Sequence, residues 1–132
     1  MEIINRLLNY KDLKIIQNTE WFAFSLDSVL LANFVSINKS TKNIVDFCTG
    51  NAPIPLILST KTNAKIIGVE IQKEIFDLAN RSIKINKLND RIELLNLNVK
   101  DLPKKYETDT FDIITCNPPY FQIKEKSKLN MN

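Results

Sequence analysis

Ile44-Val45-Asp46-Phe47-Cys48-Thr49-Gly50-Asn51-Ala52-Pro53 decides the fold of this chain. The stretch opens as a short apolar run, Ile44–Cys48, of the kind that forms a buried strand. A glycine follows at a turn, where a missing Cβ lets the backbone approach a ligand closely. Pro53 then suits the first turn of a helix, where its absent N–H costs nothing. Strand, glycine turn and helix start stand in ten residues.

The same unit recurs outward from it. Lys65–Glu70, Arg91–Asn96 and Phe111–Cys116 are three more apolar runs bounded by polar, Gly or Pro residues. Between them lie helical patterns. Pro53–Thr60 reads as a short apolar helix, and Ile71–Lys87 carries Ile71, Ile75, Leu78, Ala79, Ser82, Ile83 and Ile85 along a face with charges opposite. Lys100–Asp109 is too polar for more than a short helical turn. Buried strands alternating with helices pair in parallel through right-handed crossovers, which makes a doubly wound α/β sheet. Upstream, Leu13–Gln17 and Trp21–Phe24 flank Asn18-Thr19-Glu20 as the arms of a small hairpin. Asp27–Ile37 reads as a helix with apolar residues at 29, 30, 31, 34 and 35 and Asp27 as its N-cap. N-cap and core packing are the plainer roles for Asp27 and the Trp21–Phe24 segment; a lid over a cofactor is the other. The chain thus divides into a hairpin and helix over 1–43, a core over 44–122 and a polar, Lys-rich tail over 123–132.

Composition narrows the chemistry. The 132 residues suit one domain, with 44% apolar and 25% charged residues. No apolar run reaches the ~20 residues of a membrane span, and the first ten residues do not read as a signal peptide, so cytoplasm is the expected location and no membrane is expected. A net charge of +3 permits a nucleic-acid partner without demanding one. Two cysteines and no histidine exclude a Cys/His zinc site, so no metal is expected, and exclude any histidine base.

Two sets of residues carry chemistry. The fourth strand ends in Asn117-Pro118-Pro119-Tyr120. Neither proline has a backbone N–H, so this segment presents acceptors and few donors. Asn117 adds a side-chain carbonyl, and Tyr120 adds a flat face. Such a segment can accept both hydrogens of a planar amino group and stack the ring that bears it. At the first strand, Asp46, Cys48, Thr49, Gly50 and Asn51 form the loop. Glu70 with Ile71 follows the second strand, twenty residues after Gly50, where a carboxylate can hold two ribose hydroxyls. Asn98, after the third strand, can meet an adenine edge. Cys48 and Pro53 break the GxGxxG pattern of dinucleotide loops, and an acidic-led loop suits a ligand without phosphates. Taken singly, each feature is also an ordinary turn or strand end. Their order and placement at one sheet end, where such folds bind ligands, make them a site.

Asp46–Ala52, Glu70, Asn98 and Asn117–Tyr120 together resemble the motifs of class I S-adenosylmethionine-dependent methyltransferases. More narrowly, residues 13–18, Phe24-Ser25-Leu26-Asp27-Ser28-Val29-Leu30-Leu31-Ala32-Asn33-Phe34, residues 50–58 and Gly68-Val69-Glu70-Ile71-Gln72 resemble the bacterial tRNA1(Val) adenine-37 N6-methyltransferase family. The resemblance implies a Rossmann-like sheet with about four core strands in the order 3-2-1-4. It implies S-adenosyl-L-methionine as cofactor, held by Asp46, Cys48, Thr49, Gly50, Asn51, Glu70, Ile71, Asn98 and Asn117. It implies the anticodon loop of tRNA as substrate, with Asn117, Pro118, Pro119 and Tyr120 catalytic. Departures from the family pattern are Cys48 for a glycine, expected to bar positive φ, and Asn98 for an acidic residue. Family members continue well past the catalytic motif, so a fragment, truncated frame or split protein is expected. The fourth strand is then an exposed apolar edge that invites self-association. Cys48 and Cys116 are expected close together as reduced, buried thiols. The alternatives are a protein-glutamine N5-methyltransferase, which shares Asn-Pro-Pro-Tyr but carries a larger helical domain in front, and a cofactor-binding fragment without turnover.

Overall fold

The computed structural model describes residues 1–7, 10, 12–20, 26–104, 106 and 110–118. The expected Trp21–Phe24 arm, Pro119, Tyr120 and the tail 123–132 lie outside the described residues. Four strands form a parallel sheet: β3 (Asn43–Phe47), β4 (Lys65–Val69), β5 (Ile92–Leu95) and β6 (Ile113–Cys116). Their spatial order is β5-β4-β3-β6, the 3-2-1-4 order expected. The register sets Asp46 opposite both Gly68 on β4 and Thr115 on β6. All carboxyl ends therefore lie at one end of the sheet.

Strands β3 and β4 carry β-branched residues on both faces, and β5 adds Ile92. Ile44, Val45, Ile66, Ile67 and Ile92 are all buried, as both-sided cover of a parallel sheet requires. Each contributes about 1.5–3 kcal/mol by leaving water. Helix α2 (Pro53–Leu58) is buried along its whole length. Helix α3 (Lys73–Ile85) buries Ile75, Leu78, Ala79, Ser82 and Ile83 and leaves charge outside, the stripe that its sequence periodicity predicts except at its two ends, where Ile71, before the helix, and Ile85, its last residue, are exposed. A 3-10 helix, Val99–Lys104, occupies the polar stretch before β6.

Two expectations change upstream. The hairpin pairs β2 (Lys14–Asn18) with β1 (Glu2–Arg6), upstream of it, in antiparallel register from Glu2↔Asn18 to Arg6↔Lys14. The other edge of β2 is closed by side chains of α3. Ser82 Oγ accepts from the Ile16 N–H at 2.9 Å. Asn86 accepts from the Lys14 N–H at 2.8 Å and donates to the Lys14 carbonyl at 2.6 Å, as a neighbouring strand would. Helix α1 (Leu26–Phe34) starts before Asp27, so Asp27 lies in its first turn and is not its cap. The buried residues of α1 are Ser28 and Ala32, while Leu26, Leu30 and Phe34 are exposed. Small side chains face inward because α1 lies against α2. Among the described residues, no helix is long and apolar enough to cross a membrane.

Candidate active site

The loop after β3 is built from alternating backbone conformations. Cys48, Gly50 and Ala52 have φ of 55, 60 and 69°. Cys48 thus adopts the positive φ that its side chain was expected to bar. The conformation costs a non-glycine residue about 1–2 kcal/mol, and two hydrogen bonds hold the turn around it. Thr49 N–H donates to the Val69 carbonyl at 2.9 Å, carrying the β3–β4 pairing into the loop, and Ala52 N–H donates to the Thr49 carbonyl at 3.0 Å. A Cβ added at Gly50 would meet nothing within 4 Å, so this stretch of backbone faces open space. A ligand can lie directly against it.

Glu70 ties the loop to the end of β4. One carboxylate oxygen accepts from Gly50 N–H at 3.0 Å and the other from Gln72 N–H at 2.9 Å. Each oxygen keeps a further lone-pair site for hydroxyl donors. Beside it, the Ile71 side chain is exposed, an apolar surface at the rim. Asn98 is half-buried, and its Oδ1 accepts from Lys100 N–H at 3.1 Å, so it also opens the 3-10 helix. Asn51 is buried and donates to the Ile16 carbonyl of the hairpin at 3.3 Å.

Asp46 is the most enclosed charge-bearing group here, 1% exposed. It does not face open space. One carboxylate oxygen accepts from Thr49 Oγ1 at 2.6 Å and the other from Thr115 Oγ1 at 2.7 Å. Burial raises its pKa to about 7; the two hydroxyls oppose that rise, and the negative charge of Glu70 adds to it. Asp46 therefore fastens the glycine loop to β6. Gly68 makes this possible. A Cβ there would stand 2.7 Å from Leu94 Cδ2 and 2.9 Å from Thr49 Oγ1.

Asn117 follows β6 directly, and β6 pairs with β3 up to Phe47↔Cys116. The amide Nδ2 donates to Ser28 Oγ of α1 at 2.9 Å. Pro118 is exposed. Cys48 and Cys116 are free thiols, near enough for Cys116 to influence the Cys48 thiol. Their proximity is as expected; their burial is not. Cys116 is exposed and Cys48 half-buried, because β6 is the outermost strand of the described sheet. Desolvation, together with neighbouring Cys116 and Glu70, pushes the Cys48 thiol up to about 11.

The structure thus brings the loop 48–52, Glu70 and Asn117 to the carboxyl ends of β3, β4 and β6. Asn98 stands past the end of β5. Three polar residues absent from the expected site support it. Thr115 and Ser28 are described above, and Asn96 Nδ2 donates to the Glu70 and Ile71 carbonyls at 2.9 and 3.0 Å. Thr115 carries a signal in the sequence, a hydroxyl within an apolar run. Ser28 carries none, since helices hold many serines. Among the described residues, no group of three or more His, Cys, Asp or Glu could hold a metal ion.

Family comparison decides what kind of sheet this is. The model of the methyltransferase small domain matches residues 24–131. The chain belongs to the methyltransferase small domain family. This methyltransferase small domain is 28% identical over 123 residues to a protein of Cytophaga hutchinsonii named tRNA1(Val) (adenine(37)-N6)-methyltransferase, covering 93% of this chain and 51% of that one. A Haemophilus influenzae protein of the same name is 30% identical over 115 residues, covering 86% and 49%. The chain spans about half the length of the curated relatives it matches. Among solved structures, the METTL16 MTase domain superposes with a TM-score of 0.67 at 18% identity, over 96% of this chain and 63% of that one. A SAM-dependent methyltransferase from Agrobacterium tumefaciens gives 0.67 at 16% identity, over 89% and 40%. These likenesses establish the Rossmann-like methyltransferase fold.

Proposed function

We propose that this methyltransferase small domain transfers a methyl group from S-adenosyl-L-methionine to the exocyclic N6 of an adenine in a tRNA anticodon loop, adenine 37 of tRNA1(Val) being the target named for its relatives. The observation that carries this reading is the seating of Asn117. It stands at the end of β6, beside a loop whose glycine backbone is open and whose neighbouring carboxylate can accept hydroxyl donors.

The residues present fit the cofactor. The open face at Gly50 accommodates a chain lying against backbone, Glu70 suits the two ribose hydroxyls, and Ile71 and Asn98 suit the flat and polar edges of an adenine. Cys48, Thr49 and Asn51 shape the loop. Asp46 acts from behind it, through Thr49. When bound, the cofactor supplies an electrophilic methyl on a sulfonium.

An adenine amine is a poor nucleophile because its lone pair is delocalised into the ring. The Asn117 side-chain carbonyl and the Pro118 backbone carbonyl accept its two hydrogens, which draws the nitrogen towards tetrahedral geometry. The same acceptors stabilise the positive charge that develops there. Orientation in the attack line supplies the main catalytic term. Tyr120 stacks on the base, an interaction worth ~1–3 kcal/mol, and Pro119 has no backbone N–H to compete for the acceptors. The base must leave its stack to enter, which costs less in a loop than in a duplex.

The test is transfer of labelled methyl to unmodified tRNA1(Val) transcript, beside a transcript with guanine at position 37. We expect label on the first only, and loss of at least a hundredfold in rate on Asn117→Ala. Transfer to a glutamine-bearing release-factor peptide, with none to tRNA, would replace the substrate. Cofactor binding by calorimetry without transfer to either acceptor would make the chain a binder.

A further inference from the structure

We infer that Ser28 is a positioning residue that anchors the Asn117 side chain at the end of β6. The inference rests on the role proposed above for Asn117 and adds a second residue, on a distant element, to it.

A primary amide has two faces of similar shape and opposite function. Its oxygen accepts and its nitrogen donates. A half-turn about the last side-chain bond exchanges them at almost no steric cost. An asparagine that must accept from an amino group works in one of these orientations and repels in the other. At the open end of a strand, water satisfies both equally well. A serine hydroxyl can partner either end, so what a bond to a buried serine supplies is a fixed position for the amide.

Asn117 Nδ2 donates to Ser28 Oγ at 2.9 Å, across a sequence separation of 89 residues. Ser28 is 5% exposed, so its hydroxyl meets little competition from water. Ser28 sits on the inward side of α1, where Ala32 is likewise buried and the large side chains Leu26, Leu30 and Phe34 are turned outward. The inward face of this helix thus presents a small polar group to the candidate catalytic residue. Thr115, two residues before Asn117, is fastened to Asp46, so the backbone of Asn117 is held independently of the amide. The amide itself depends on Ser28.

The test compares wild type with Ser28→Ala, Ser28→Thr and Asn117→Ala. Side-chain amide resonances of Asn117, assigned by their loss in Asn117→Ala, report the bond directly and need no turnover. We expect these protons to be protected from exchange in wild type and in Ser28→Thr, and about tenfold less protected in Ser28→Ala. In methyl transfer to tRNA1(Val) transcript, Ser28→Ala lowers kcat roughly five- to tenfold, the worth of one directed hydrogen bond, with KM for the cofactor unchanged. Ser28→Thr restores most of it. Ser28→Ala adds no further loss in an Asn117→Ala background. Unchanged amide protection in Ser28→Ala would overturn the inference, as would an unchanged kcat while Asn117→Ala abolishes transfer. Full transfer by Asn117→Ala would instead overturn the role of Asn117 itself.

Discussion

Two residues carry the local tension of the site. Cys48 holds a φ of 55°, and replacement by glycine removes the clash between Cβ and the following carbonyl. We expect Cys48→Gly to raise unfolding free energy by up to about 1 kcal/mol, after allowing for the greater freedom of glycine in the unfolded chain. Urea denaturation measures it, and a loss of stability would show that the thiol contact with Cys116 outweighs the backbone gain. Asp46 sets a pH dependence. Its ordinary value is 3.8 and its folded value about 7. Between these, the folded state keeps a proton that the unfolded state gives up. Its contribution is complete below about pH 4 and is lost as pH climbs through 7, at up to about 1.4 kcal/mol per pH unit. Wild type should therefore show a falling Tm from pH 5 to 8. Asp46→Asn should flatten that fall; parallel melting curves for the two proteins would contradict the assignment.

At the scale of elements, the strands and α3 were legible because period and length agree. Runs of β-branched residues bounded by turns allow little but buried parallel strands, and a charged stripe opposite Ile75, Leu78, Ala79 and Ile83 allows little but an amphipathic helix. Helix α1 was legible in extent and not in facing. Its apolar residues at 29, 30, 31 and 34 suggest a buried stripe, yet Leu30 and Phe34 are exposed while Ser28 is buried. Close packing against α2 favours small side chains, and periodicity counts apolar character without size. The pairing of β2 with β1 was missed for a related reason. Pairing is a tertiary choice, and β1 carries Glu2, Asn5 and Arg6 among its five residues, so its sequence has little apolar alternation. The site was legible where a residue type is rare, as with the glycines and the Asn-Pro run. It was hidden where a common hydroxyl acts at long range. Gly68→Ala tests the β4 junction. The added Cβ presses on Leu94 and on Thr49 Oγ1, so we expect a loss of about 1–3 kcal/mol in urea unfolding. A neutral result would mean that Thr49 moves freely, against its bond to Asp46.

At the scale of the molecule, the hairpin is joined to the sheet domain through side chains of α3. Asn86 substitutes for a strand at Lys14, and Ser82 does so at Ile16. Asn86→Ala leaves both polar groups of Lys14 to water and removes the bond to the Ser82 carbonyl. We expect a loss of about 1–2 kcal/mol, with faster protease cutting within residues 1–20. Equal cutting rates would show that the hairpin holds by apolar contact alone. Asn51 extends this junction into the glycine loop, so loosening the hairpin should also weaken cofactor binding measured by calorimetry.

β6 has a consequence for how the molecule comes together in time. Four residues bind it to β3, yet the Asp46–Thr115 bond spans 69 residues and the Ser28–Asn117 bond 89. Contacts that close such long loops form late and open early. On the ribosome, the glycine loop and its supporting strands are complete before Thr115 and Asn117 have been synthesised. The folded chain carries the same order as a gradient of persistence. Amide hydrogens of β3 and β4 should exchange with the slowest, global opening, while those of β6 exchange through a smaller, more frequent one. The end of the site proposed to accept the amine then blinks off while the loop beside it stays formed.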